Sequence, residues 1–270
     1  MIGQDKLTKQ INTYTLDTFP HSVILLGPKG CGKHTLVNEI AGNLHLNVVY
    51  ITESISINDI DQFMIKPEPY IYVFDANVLS IKQQNVILKF VEEPLKNAYI
   101  IILCETKRQL IDTVLNRCII WTFETYSKET LRTCTFVNKV SDIVLELSNT
   151  PGDIIELSLY EAEIPDTINK MIQLSNKLLT SSKRATVANI LTVADKCYYK
   201  ESDKDNVKFN FNIFLKVLMY VIQKNLVDNG SKELYNVYNR TNQLYNDCFI
   251  PNINKQYLFE SYLLDMKVIT

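Results

Sequence analysis

The stretch Leu25 to Leu36, LLGPKGCGKHTL, places glycines at 27, 30 and 32 and a lysine at 33. This is the G-x-x-x-x-G-K spacing of a phosphate-binding loop. Glycines let backbone N–H groups converge on phosphate oxygens, helped by the positive end of a following helix. Lys33 would reach the β- and γ-phosphates of a nucleotide. The spacing nominates Gly27, Gly30, Gly32, Lys33, His34 and Thr35 as nucleotide-binding residues, with ATP or ADP as ligand. A glycine-rich strand-to-helix turn without a ligand is the plainer alternative.

Hydrolysis would need more. The residue after the lysine ordinarily offers a hydroxyl to the Mg²⁺ that bridges the β- and γ-phosphates. His34 offers an imidazole, a poor ligand for this hard cation beside a charged lysine. Thr35 has a hydroxyl, but one helical position turns it by about 100° round the axis. A second acidic group is expected at the end of a neighbouring strand. YIYVFDANVLS ends its apolar run on Asp75, which could hold Mg²⁺ through water or equally cap a strand-end turn. The next residue is Ala76, so no general base stands there to polarise an attacking water. With both groups missing, the chain is expected not to hydrolyse ATP at this loop, and Mg²⁺ is doubtful.

These residues need a scaffold of strands and helices. Up to about residue 124, short apolar runs alternate with helical patterns. SVILL (22–26), YIYVFD (70–75), AYIIILC (98–104) and CIIWTF (118–123) predict buried strands. TLVNEIAGNL and SIKQQNVILKFVEEP predict helices. The second opens on the S-x-x-Q capping-box spacing of Ser80 and Gln83 and should stop at Pro94. Apolar strands alternating with helices imply a mostly parallel α/β sheet covered on both faces. After Phe123 only helical candidates remain, such as KETLRTCTFVNKVSDIVLELS, PDTINKMIQLSNKLLT and NFNIFLKVLMYVIQKNLV. PG at 151–152 punctuates the first group, ESDKDN (201–206) reads as a solvated loop, and DNG (228–230) ends a helix.

Composition limits the function classes. With 46% hydrophobic and 21% charged residues, the 270-residue chain is ordinary for a soluble protein of two or three domains. A formal net charge of -2 argues against nucleic-acid binding through charge on the whole surface. The six cysteines, at 31, 104, 118, 134, 197 and 248, form no C-x-x-C pair, so neither zinc nor another metal site is expected. The polar start MIGQDKLTKQ and the shortness of AYIIILC predict neither signal peptide nor membrane span, and a cytoplasmic protein.

The chain resembles the AAA+ subunits of DNA sliding-clamp loaders, particularly the delta-prime type of bacterial DNA polymerase III. IGQDKLTKQI is similar to the family's opening I-G-Q segment, and HSVILLGPKGCGKHTL to its H-x-x-L-x-x-G-P-x-G-x-G-K run. LSIKQQNVILKFVEEP resembles L-S-x-x-x-Q-N-x-L-L-K-x-L-E-E-P, the most specific match because generic P-loop proteins lack it. DTVLNRC is similar to P-T-I-x-S-R-C, with Asp112 for the proline and Asn116 for the serine. PGDIIEL resembles the lid's P-G-x-A-L turn, and NINKQYLFESYLLDM the N-x-N-x-x-x-x-x-E-x-L-L collar helix.

The resemblance implies a Rossmann-like P-loop domain over 1–124, a helical lid over 125–163 and a helical collar for oligomerisation over 164–270. It implies partners: other loader subunits in a hetero-oligomeric ring, a sliding clamp, and primed DNA reached through the assembled complex. Arg117 would be an arginine finger acting in trans on a neighbour's ATP. The motor subunits' four-cysteine zinc module is missing, and Ile155 stands about where a lid arginine is expected. Together with His34 and Ala76, these departures resemble the non-hydrolysing position of the ring. Richness in Asn, Ile, Lys and Tyr suggests an AT-rich genome, such as a phage acting in its host's cytoplasm. Two other readings stay open: a self-sufficient AAA+ ATPase such as a helicase loader or remodeller, and a degenerate P-loop scaffold outside replication.

Overall fold

The apolar runs pair as a single five-stranded sheet in which every neighbouring pair is parallel: β1 (Ser22–Leu26), β2 (Asn47–Ile51), β3 (Tyr70–Asp75), β4 (Ala98–Cys104) and β5 (Ile119–Thr122), in the order β2-β3-β4-β1-β5. The computed structural model describes residues 2–51, 69–93, 98–134, 140–163, 166–181, 210–248 and 254–269. α1 (Asp5–Ile11) precedes β1, and among the described residues the strand connections hold α2 (Lys33–Leu44), α3 (Ile81–Glu92) and α4 (Asp112–Leu115). Parallel strands need such crossovers, and those crossovers cover both faces. Val23, Leu25, Ile71, Val73, Ile101 and Leu103 face a core shared with α1 and α2. The alternating Ile24, Tyr72, Phe74, Ile100 and Ile102 face a second core with Ile87 and Val114. β4 is buried at every position, which is why its sequence reads as an unbroken apolar run.

This order has a switch point at β1: β4, β3 and β2 lie to one side of it and β5 to the other. Ligands of open α/β sheets sit at the carboxyl ends of strands at such a point. The loop 27–32 leaves β1 there.

α3 begins with the capping box its sequence predicts. The Gln83 N–H donates to Ser80 Oγ, and the Ser80 N–H donates to Gln83 Oε1 at 2.8 Å. The helix ends at Glu92 with Glu93 as its cap, while Pro94 lies outside the described residues. Several expectations change in detail. CIIWTF narrows to a four-residue strand at the sheet edge. KETLRTCTFVNKVSDIVLELS is not one helix: α5 (Lys128–Arg132) and α6 (Asp142–Leu147) are separate, with 135–139 outside the described residues. PGDIIEL is not a turn but the start of α7 (Pro151–Glu163), where Pro151 takes the first helical position, the one site at which its missing N–H costs nothing. The solvated loop predicted at 201–206 also lies outside the described residues.

The chain divides into two compact units, Met1–Val140 with Ser148–Ile155, and Ser141–Leu147 with Glu156–Thr270. The second is helical: α6, most of α7, then α8 (Thr167–Ser181), α9 (Phe211–Asn229), α10 (Lys232–Asp247) and α11 (Lys255–Ile269). Asn210 caps α9 through its side chain, and Gly230 ends it in the left-handed region at φ 57°, as DNG predicts. Phe259 of α11 packs edge-on against Phe211 and Phe214 of α9, and the buried hydroxyls of Thr241 and Tyr262 satisfy each other at 2.6 Å. Among the described residues no helix is long and apolar enough to cross a membrane.

Candidate functional site: a closed glycine loop and an arginine edge

The glycine loop is organised by its own lysine. Lys33 is buried, and its ammonium donates to the carbonyls of Gly27 at 2.6 Å and Pro28 at 3.0 Å. Gly30 and Gly32 hold φ of 78° and 98°, a region that side chains with a Cβ rarely adopt. A Cβ on Gly27 would lie 2.8 Å from Phe123 Cβ, so this glycine is required by close approach. An ammonium has three donors; two are used within the loop, and the third suits a phosphate oxygen.

The outer side of the loop is fastened by three later residues. The Gly152 N–H donates to Gly30 O at 3.0 Å, Thr150 Oγ1 to Lys29 O at 3.1 Å, and the Tyr126 hydroxyl to Cys31 O at 2.7 Å. Gly152 approaches so closely that a Cβ there would sit 2.4 Å from the Gly30 Cα. The turn presenting it is shaped by Asp153, which accepts from the Asn149 and Thr150 N–H groups. The opening I-G-Q segment has a comparable job. Gln4 is fully buried and exchanges two hydrogen bonds with the Glu124 backbone, both 2.9 Å, tying the chain start to the exit of β5.

Of the residues weighed as Mg²⁺ ligands, His34 and Asp75 make other contacts. His34 is exposed, and its ring stacks on Tyr50 of β2 at 5.4 Å and 26°. Thr35 is exposed on the next helical position. Asp75 Oδ1 accepts from the Asn77 N–H at 2.9 Å and its side-chain amide at 3.0 Å, the bonding of a strand-end turn. Ala76 is buried, and its N–H donates to Leu103 O. The loop could hold a polyphosphate through Lys33 and glycine backbone, whereas the described residues around it offer no arranged ligand set for its cation. Among the described residues, no group of three or more His, Cys, Asp or Glu side chains is placed to hold a metal. Burial pushes the Cys31 thiol up, and those of Cys104 and Cys118 up to about 11, so these sulfurs are protonated at neutral pH.

Arg117 lies at the other end of the sheet. It follows α4 and precedes β5, whose first residue, Ile119, pairs with Val23. Val23 is four residues short of Gly27, roughly 13 Å of strand at the usual rise, and Arg117 lies two residues further back. The guanidinium is held by two contacts: Nε to Glu92 Oε1 at 2.6 Å, and Nη1 donating to Thr113 O at 3.1 Å. The pair is about half exposed. α4 is itself fixed by the buried Gln84, which donates to Leu79 O and Gln109 O and accepts from the Ile111 N–H.

Of the residues the sequence nominates, Gly27 to Thr35 lie at the carboxyl end of β1, and Arg117 lies at the amino end of β5. Sequence reasoning missed Tyr126, Thr150, Gly152, Glu92 and Gln84 as their supports. The E-E-P and Q-N positions of the α3 motif were the available signal for two of these.

A family model described as DNA polymerase III, delta subunit matches residues 68–127, a stretch that contains Asp75, Glu92 and Arg117 but not the glycine loop. No curated protein sequence matches the chain. Among solved structures, the RuvB Holliday junction branch migration motor of Thermotoga maritima is 18% identical, with a TM-score of 0.51 over 98% of this chain and 88% of that one. A DNA polymerase III gamma subunit-related protein from Thermotoga maritima is 17% identical, with a TM-score of 0.51 over 98% of this chain and 99% of that one. The sheet order, the loop after β1 and these likenesses define an AAA+ fold. Within that class the stretch 68–127 is similar to the DNA polymerase III delta-subunit family, and the fold is similar to that of a gamma subunit-related protein.

Proposed function

We propose that this chain is a non-hydrolysing, delta-prime-like subunit of a sliding-clamp loader, which completes a ring and donates Arg117 to the ATP site of a neighbouring subunit. The observation that carries this reading is the position of Arg117. With all strands parallel, a residue just before β5 lies at the amino end of the sheet, while the chain's own phosphate loop lies at the carboxyl end. Arg117 cannot serve that loop. A half-exposed guanidinium on the sheet edge suits a phosphate presented by another chain, where its planar fork would neutralise charge developing during phosphoryl transfer. The lid over 125–163, the collar over 164–270, the clamp and the primed DNA belong to the same proposal. So does a cytoplasmic setting.

Nucleotide binding at this chain's own loop is compatible with the proposal, through Lys33 and the backbone of Gly30 and Gly32. Hydrolysis there is not part of it, because His34 and Ala76 supply neither a magnesium ligand nor a base. The test is steady-state ATPase of a complex reconstituted with its partner subunits, comparing native chain with Arg117→Ala. A loss of turnover with ring assembly intact supports the role in trans; unchanged turnover ends it.

One observation favours a second reading, a self-sufficient AAA+ ATPase: Lys33 is in place with a donor to spare. Turnover of Mg-ATP by the isolated chain, abolished by Lys33→Ala, would select that reading.

A further inference from the structure

We infer that Glu92 is a positioning residue for Arg117, and that the two sequence segments KFVEEP and TVLNRC are parts of one device. The inference rests on the proposed role of Arg117 in trans and adds how its side chain is aimed.

Glu92 is the last residue of α3, and Glu93 follows as its cap. Carboxylates are disfavoured at that end of a helix, where the unpaired carbonyls already carry partial negative charge. The helix therefore gains nothing locally from Glu92. What Glu92 does make is a 2.6 Å contact to Arg117 Nε. An exposed ion pair of this kind adds little to stability, so stability does not explain it either.

Geometry does. A guanidinium is planar and carries five N–H donors in a fixed fork. One anchor leaves it free to swivel, but two on different nitrogens set its plane. The Glu92 carboxylate lies 2.6 Å from Nε as an ion pair, and Thr113 O accepts one N–H of Nη1. Among the described residues these are the recorded polar partners of Arg117, so Nη2 keeps both its N–H groups and Nη1 keeps one. That is the edge a phosphate oxygen of another chain would meet. Both anchors are themselves secured: Glu92 on a twelve-residue helix with a closed capping box, and Thr113 within α4, which Gln84 bonds to α3. A long, flexible side chain is thus held ready before the neighbour arrives, which lowers the ordering cost at the moment of contact.

The test uses the reconstituted complex and follows kcat and KM for ATP. Glu92→Gln removes the charge and keeps the shape, and is expected to lower kcat on the order of tenfold to a hundredfold, the scale of a misaimed group, with KM little changed. Glu92→Asp should recover part of the loss. The Glu92→Gln, Arg117→Ala double variant should be no slower than Arg117→Ala alone. The inference is overturned if Glu92→Gln leaves kcat unchanged while Arg117→Ala lowers it, if the two losses multiply, or if Glu92→Gln speeds turnover, which would make Glu92 a restraint. An Arg117→Ala variant without effect removes the role in trans and this inference with it. Subunit association measured on the same variants separates misaiming from failed assembly, since a loss confined to assembly also overturns it.

Discussion

The glycine loop and the arginine edge stand at opposite ends of one parallel sheet and are built in opposite ways. At the loop, polar groups turn inward: Lys33 bonds its own loop carbonyls, Asp75 caps its own turn, and His34 leans on Tyr50. Residues from the far side of the chain then fasten the loop from outside. At the edge, Arg117 is half exposed, paired with Glu92 at Nε and bonded to Thr113 O from Nη1. The loop is bonded within the chain on both sides. The edge adds little to stability, and under the proposed function it acts on a neighbouring chain.

The largest expected effect tests the edge. Arg117→Ala in an assembled complex should slow hydrolysis at the site it serves by on the order of 10³-fold or more, while the isolated variant's stability changes by no more than about 1 kcal/mol. Single-turnover ATPase and a denaturation midpoint measure the two. A large stability loss with modest kinetic loss would reverse this contrast.

The loop should respond in the opposite manner. Gly152→Ala places a Cβ 2.4 Å from the Gly30 Cα, where the nearest atoms are all Gly30 backbone and cannot swing away. Overpacking of this kind costs about 1–3 kcal/mol, so denaturant unfolding of the isolated chain should shift to lower concentration. An unchanged midpoint would mean that the contact between the start of α7 and the loop is dispensable. Lys33→Met keeps the aliphatic stem but deprives two carbonyls of their donor, and is expected to cost about 1–2 kcal/mol in the same measurement. If Lys33→Met instead altered only nucleotide affinity, the loop would be a binding site first and a joint second.

How far sequence reached follows from what each feature depends on. β1, β3, β4 and α3 were readable because each carries a strong local pattern, an apolar run or a capping box. β2 was not, because as an edge strand with partly exposed residues, NVVYI lacks both an unbroken buried run and clean alternation. The first turn of α7 was misread because Pro and Gly ordinarily punctuate; here Pro151 starts a helix and Gly152 lets two backbones touch. The loop residues could be nominated because they are adjacent in the chain. Glu92 and Arg117 became partners only through the α3 and α4 crossovers, and the bonds from Thr150 and Gly152 to the loop depend on tertiary approach that no local spacing encodes.

The smallest effect sharpens the distinction by keeping the substitution constant. Gly42 lies inside α2, exposed, and a Cβ there would meet nothing within 4 Å. A helical glycine costs about 0.5–1 kcal/mol relative to alanine, through backbone entropy. Gly42→Ala should therefore stabilise the isolated chain by about that amount, opposite in sign to Gly152→Ala although both sites are helical. The sign separates a glycine required by contact from one that is merely tolerated. If Gly42→Ala were stabilising in isolation yet weakened assembly, the open space above Gly42 would have to be filled by another chain's close approach, and α2 would join the arginine edge as a surface shaped for a partner.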